Sequence, residues 1–146
     1  MEQFIIILRE PDGRADEHSD REMAEHRDKW NNWFAKYAKA GNLVGGNALS
    51  LYGKMVRGYD AEVIDDIHKV GTEIVGGYLL IQAEDLDNAV EITRELPVYE
   101  FEGYAEVRPF KIYNVGKLVL NFYPLCQRCA GHLFLSLGRE FINILF

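Results

Sequence analysis

The sequence is short of the residues that would make it secreted, membrane-spanning or nucleic-acid-binding. It has two cysteines in 146 residues, Cys126 and Cys129, too few for the multi-bridge framework of a small secreted domain and consistent with a reducing compartment. No apolar run approaches the roughly 18 uninterrupted residues of a membrane span, and "MEQFIIILREPDG" has neither a basic leader nor a long apolar core. Sixteen basic residues against 23 acidic ones give a formal charge of −7, with the acids scattered. Phosphate-backbone binding therefore has no electrostatic footprint. The expectations are a cytoplasmic protein with neither nucleic acid nor membrane as partner.

Familiar chemical signatures are also missing. GxGxxG, GxxxxGK[ST] and GxSxG do not occur, and residues before 126 include no cysteine. Phosphate-loop binding and acyl-enzyme chemistry have no local support, and no cofactor is expected. "Cys126-Gln-Arg-Cys129-Ala-Gly-His132" offers two thiolates and an imidazole, but a second clustered ligand pair is absent, so no metal is assigned.

What remains is one domain's worth of alternating elements. "QFIIILRE" reads as a strand with Phe4, Ile6 and Leu8 on one face and Ile5, Ile7 and Arg9 on the other. Ser19 and Glu22 form a capping box that starts a helix at about residue 20, with Gly41 as its stop. In this helix Met23, Trp30, Phe34 and Tyr37 make an apolar stripe on which His26 also falls.

Short glycine-punctuated strand pieces follow, then the strong strand "EIVGGYLLIQA", whose Gly76-Gly77 requires a bulge or a close approach. A second helix carries Leu86, Ala89, Val90, Thr93 and Leu96, with Asp85 or Asp87 as cap and Pro97 as stop. "GYAEVRPFKIY" alternates, with Tyr104, Glu106, Arg108 and Phe110 on one face.

This order predicts an α+β domain over residues 1–115, a ferredoxin-like antiparallel sheet with two helices on one face. Strands 3–9 and 73–83 are apolar on both faces, so a second copy is the expected cover and a homodimer the expected state. Residues 116–146 carry +2 while the rest carry −9, and form a separate C-terminal extension in which 133–146 could make a short amphipathic helix.

"FIIILRE", "HRDKWNNW", "GNLVGGNAL", "VGGYLLIQAEDLDNAVEI" and "EVRPF", in that order, resemble the YCII-related proteins, particularly the DGPF branch, over roughly residues 3 to 113. The resemblance implies a dimeric α+β barrel enclosing a small molecule between helix and sheet. It also implies that a first-helix histidine, here His26, lies near an acidic residue, and that lyase chemistry of the dehydrohalogenation type belongs to part of the family. One departure is plain: Asp65-Asp66-Ile67-His68 stands where the DGPF motif would, keeping the aspartate and losing the Gly-Pro-Phe turn.

The candidate residues each have two readings. His26 is a packed helix residue or a general base, and Asp65 is a loop aspartate or the carboxylate that orients it. Arg9 is an anion clamp or a solvent-facing strand end, Glu106 and Arg108 hold a substrate carboxylate or form an ion pair with each other that bridges the dimer, and Tyr78 packs or lines a pocket. The expected function is a cofactor-independent enzyme performing lyase- or isomerase-type proton transfer on a small, aromatic-type molecule. The alternative is a non-catalytic dimeric small-molecule-binding or accessory module.

Overall fold

The computed structural model describes residues 1–12 and 18–111. In β1, Glu2–Pro11, the alternation of the sequence becomes an alternation of burial, with Phe4, Ile6 and Leu8 almost fully enclosed and Ile5, Ile7 and Arg9 half-buried. Helix α1, Asp20–Lys39, starts at Ser19, whose hydroxyl accepts from the Glu22 amide while the Glu22 carboxylate accepts from the Ser19 amide. It ends at Ala40, and Gly41 follows at φ +78°, a left-handed conformation natural to glycine.

Strand β2, Leu43–Ala48, pairs with β5, Glu73–Ala83. Between them a separate ribbon is formed by β3, Met55–Arg57, and β4, Glu62–Ile64. Helix α2, Leu86–Arg94, is capped by the Asp85 carboxylate accepting from the Asn88 amide. Pro97 does end the helical pattern, but it also opens a 3₁₀ turn, Pro97–Phe101, that leads into β6, Tyr104–Pro109.

The four long strands are ordered β2-β5-β1-β6, all antiparallel, the ferredoxin-like arrangement. Both helices pack on the face of Phe4, Ile6, Leu8, Leu79 and Ile81. The buried stripe of α1 is His26, Trp30, Trp33 and Tyr37; Trp33 joins it, while Met23 and Phe34 sit at its margins. In α2 the buried residues are Ala89, Ile92 and Thr93, and Leu86 and Val90 are exposed. In each helix the inward stripe is rotated toward the residue that faces the other helix, and the Trp33 indole donates to the Ile92 carbonyl at 3.2 Å.

Two glycines in mid-strand have separate reasons. The ladder between β1 and β5 slips at Leu8/Arg9, where Gly76 is the extra residue. A Cβ on Gly76 would stand 2.0 Å from Glu10 Oε1, so the Glu10 side chain occupies the space that a larger residue would fill. A Cβ on Gly77 would stand 2.8 Å from the Asn47 carbonyl oxygen, so it is β2's backbone that excludes a side chain there.

The 116–146 extension, the helix expected at 133–146 and the Cys126, Cys129, His132 group lie outside the described residues. Among the described residues no helix is long and apolar enough to cross a membrane.

Candidate functional site

His26 comes from the second turn of α1 and is only 6% exposed. Its Nδ1 lies 2.7 Å from Glu100 Oε2, supplied by the 3₁₀ turn 74 residues later, and its Nε2 lies 2.9 Å from the Trp30 indole nitrogen, one turn further along the helix. These contacts fix the tautomer. An indole N–H only donates, so Nε2 is the accepting nitrogen; the neutral ring then carries its hydrogen on Nδ1 and donates it to Glu100. Phe101, 4.4 Å away between centroids, covers the ring and stacks on His18 at 4.2 Å.

Glu100 joins this buried pair to the surface. Its second oxygen accepts from Lys29, which holds the carboxyl below the usual carboxylate range; partial burial opposes this and His26 reinforces it. Glu100 and Lys29 also line an open cleft of about 370 Å³ between α1 and the 3₁₀ turn, with Asn32, Trp33 and Pro97. Lys36 pairs with Glu95 beside it.

Among the described residues, little space is left in the seam between α1 and the sheet, where the family resemblance puts a ligand. Leu8, Trp30, Phe34 and Leu79 leave about 10 Å³ there, roughly the space of a single water.

The sheet divides the residues singled out from sequence. His26 is on the helix side, whereas Arg9, Tyr78, Glu106 and Arg108 share the opposite face, as the pairings Ile7↔Tyr78, Ile7↔Glu106 and Ile5↔Arg108 require. There Arg9 Nη1 donates to Glu73 at 3.1 Å and its Nη2 stands 3.7 Å from Glu106, which also accepts from Arg108 Nε at 2.6 Å. The Tyr104 hydroxyl donates to Glu73, and the Tyr78 hydroxyl accepts from Asn47. Within one chain the sheet therefore stands between His26 and both Arg9 and Arg108.

Asp65, just past β4, pairs with Lys54 at 3.1 Å and its side chain is 81% exposed. The carboxylate at His26 is Glu100 instead. Asp66 accepts from the Ile67 amide, an ordinary turn contact.

Two acids were not singled out from sequence. Glu100 sits in "PVYEF", where the visible signal is Pro97, and nothing local ties it to a helix 74 residues away. Glu10 immediately follows Arg9, and alternation alone would have put it on the helix side, where it pairs with buried Ile74. Burial raises its carboxyl above the usual range. Among the described residues no group of three or more His, Cys, Asp or Glu side chains converges to hold a metal ion.

A ferredoxin-like antiparallel sheet with two helices on one face places the chain among the small α+β proteins. Within that class, the chain belongs to the YCII-related domain family, whose model matches residues 3–112. No curated protein matches the chain significantly.

Proposed function

We propose that the chain is a small-molecule-binding module that works as a homodimer, and that His26 holds its first helix in place without doing chemistry. The observation that carries this reading is the double engagement of the His26 ring, with Nδ1 on Glu100 and Nε2 on Trp30. A general base needs its lone pair within reach of substrate, and here the indole of its own helix uses that lone pair. Among the described residues, the seam beside it has no room for an organic molecule while Trp30 stays where it is. The cleft at Lys29, Asn32, Trp33 and Pro97 is the better seat for a small ligand with a flat apolar part and polar groups.

The dimer reading rests on the uncovered sheet face. Ile5, Ile7, Val75, Tyr78 and Leu80 lie on it half-buried, away from both helices. A second copy of the same face is the self-complementary cover for such a surface.

One observation favours a second reading, cofactor-independent proton transfer of the lyase or isomerase type. Glu100 grips Nδ1, the orientation that leaves Nε2 as the working atom of a base. That chemistry requires Trp30 to leave Nε2. The deciding experiment tests wild type and His26→Gln with a panel of small aromatic and halogenated acids, for binding and for turnover, and records both melting temperatures. Binding of a panel member that survives the substitution within about twofold, with a lowered melting temperature, is the expected result. Turnover in wild type that drops 100-fold or more in His26→Gln, roughly the contribution of a lost general base, would overturn the binding reading.

A further inference from the structure

The bond between Trp30 and His26 has a direction that a proton reverses. It exists while Nε2 holds a lone pair; once that nitrogen is protonated, two donors face each other at 2.9 Å. Both residues are buried, so water does not readily replace the lost partner. On the other side of the ring the effect is opposite, because the Glu100 carboxylate beside Nδ1 attracts an imidazolium. Proton uptake thus strengthens the tie from α1 to the 3₁₀ turn and cuts the tie from ring to indole. Trp30 also walls the seam with Leu8, Phe34 and Leu79, so an indole that leaves opens the interior between helix and sheet.

We propose that His26 is a pH-operated latch on Trp30, holding the indole over the seam when neutral and releasing it when protonated, while Glu100 keeps the imidazole in place. Among the described residues, the charged and titratable groups facing the ring come from three places. Lys29 of α1 reaches it through the shared carboxylate, Glu100 comes from the 3₁₀ turn, and His18, from the segment before α1, stacks on the far side of Phe101. Lys29 keeps Glu100 ionised through the imidazole range, so the carboxylate does not titrate along with the ring. His18 is a second imidazole, and substitution separates it from His26.

The inference rests on the same neutral tautomer as the proposed function, and the two fail differently in one experiment. Proton–nitrogen correlation spectra of the ¹⁵N-labelled full chain are followed from about pH 8 to about pH 5, the range that brackets imidazole titration. At the upper end His26 is expected to show a protonated Nδ1 and a bare Nε2. On acidification the Trp30 indole N–H signal should shift in step with His26, and its exchange with water should quicken tenfold or more. Trp33, held on the Ile92 carbonyl, should stay unchanged as the internal control.

His26→Gln keeps an acceptor oxygen but cannot titrate, and should abolish the Trp30 response; His18→Gln should leave it intact. A ring protonated at Nε2 at the upper end would overturn the tautomer and the proposed function with it. With that tautomer confirmed, a Trp30 signal indifferent to pH, a response surviving in His26→Gln, or Trp30 and Trp33 moving together would overturn the latch alone. If His26→Gln does not fold, the wild-type Trp30 and Trp33 comparison with His18→Gln still decides.

Discussion

Glu100 stands 2.7 Å from the Nδ1 of His26, across 74 residues of sequence, and is the contact through which the 3₁₀ turn grips the first helix. One oxygen faces the buried imidazole and the other faces Lys29 at the surface. The carboxylate is therefore fixed by two cationic or proton-donating groups of the same helix, three residues apart. Removing it would take from the buried Nδ1–H its carboxylate acceptor, costing about 1–3 kcal/mol.

Glu100→Gln should flatten the acid limb of the stability curve. The folded carboxyl titrates below its usual range, so its contribution is complete above the ordinary carboxylate value and is lost as pH falls from there through the lower folded value. Urea midpoints should differ between wild type and variant at pH 7 and converge as pH falls, over roughly pH 5 to pH 3.

Trp30→Phe removes the indole N–H and part of a buried ring system, leaving Nε2 without a donor. A loss of about 1.5–3 kcal/mol in urea unfolding is expected. An unchanged midpoint would mean that the indole bond is not part of the folded state.

Gly76→Ala should destabilise by about 1–3 kcal/mol, because the new methyl displaces the Glu10 carboxylate. Glu10→Ala in the same chain should recover part of that loss, and a double-mutant cycle measures how much. Gly77→Ala, which meets the Asn47 backbone, should gain nothing from the second substitution. Glu10→Gln should raise the melting temperature at pH 7. Burial raises the Glu10 carboxyl, so its ionised form weakens the fold as pH rises through the folded value, and the gain should shrink in acid.

Ile7→Lys or Leu80→Lys puts a charge in the middle of the uncovered sheet face. Light scattering is expected to give a dimer mass for wild type and a monomer mass for both variants. A monomeric wild type would end the dimer proposal.

Asp65→Asn removes an exposed ion pair to Lys54 and should change stability by less than about 0.5 kcal/mol. Ligand binding should be untouched, since the carboxylate that meets His26 is Glu100.

How much of this was legible depends on how local each signal is. The Ser19-Glu22 box spans three residues and could be read directly; so could the two-residue alternation of β1, and from these the ferredoxin-like order followed. The inward face of α1 was read too narrowly. Steps of His26, Trp30, Trp33 and Tyr37 follow the helical repeat as well as Met23, Trp30, Phe34 and Tyr37 do, and only the position of α2 decides that Trp33 is the one enclosed. Arg9 illustrates a signal that was present: its parity with Ile5 and Ile7 already assigned it to the face opposite Phe4, hence away from the helices and His26. The meeting of His26 with Glu100 had no local trace, because it depends on a 3₁₀ turn whose direction is set by packing around Val98 and Gly103.

The doubled glycine of β5 also sets what kind of sequence change the sheet tolerates. On either side of Gly76 the strand keeps its two-residue rhythm, but the two halves are out of phase by one residue: Ile74 and Leu79 both point to the core because the bulge at Gly76 takes up the extra residue between them. Deleting Gly76 would leave Leu8↔Gly77, Arg9↔Val75 and Glu10↔Ile74 as consecutive pairs of a regular ladder, so Ile74 would stay inward and Glu73 would stay on the face of Arg9. One residue can therefore be lost at this bulge without exchanging the two surfaces of the strand, whereas a second loss would put Ile74 outward and Glu73 inward, and a side chain added at Gly76 meets Glu10.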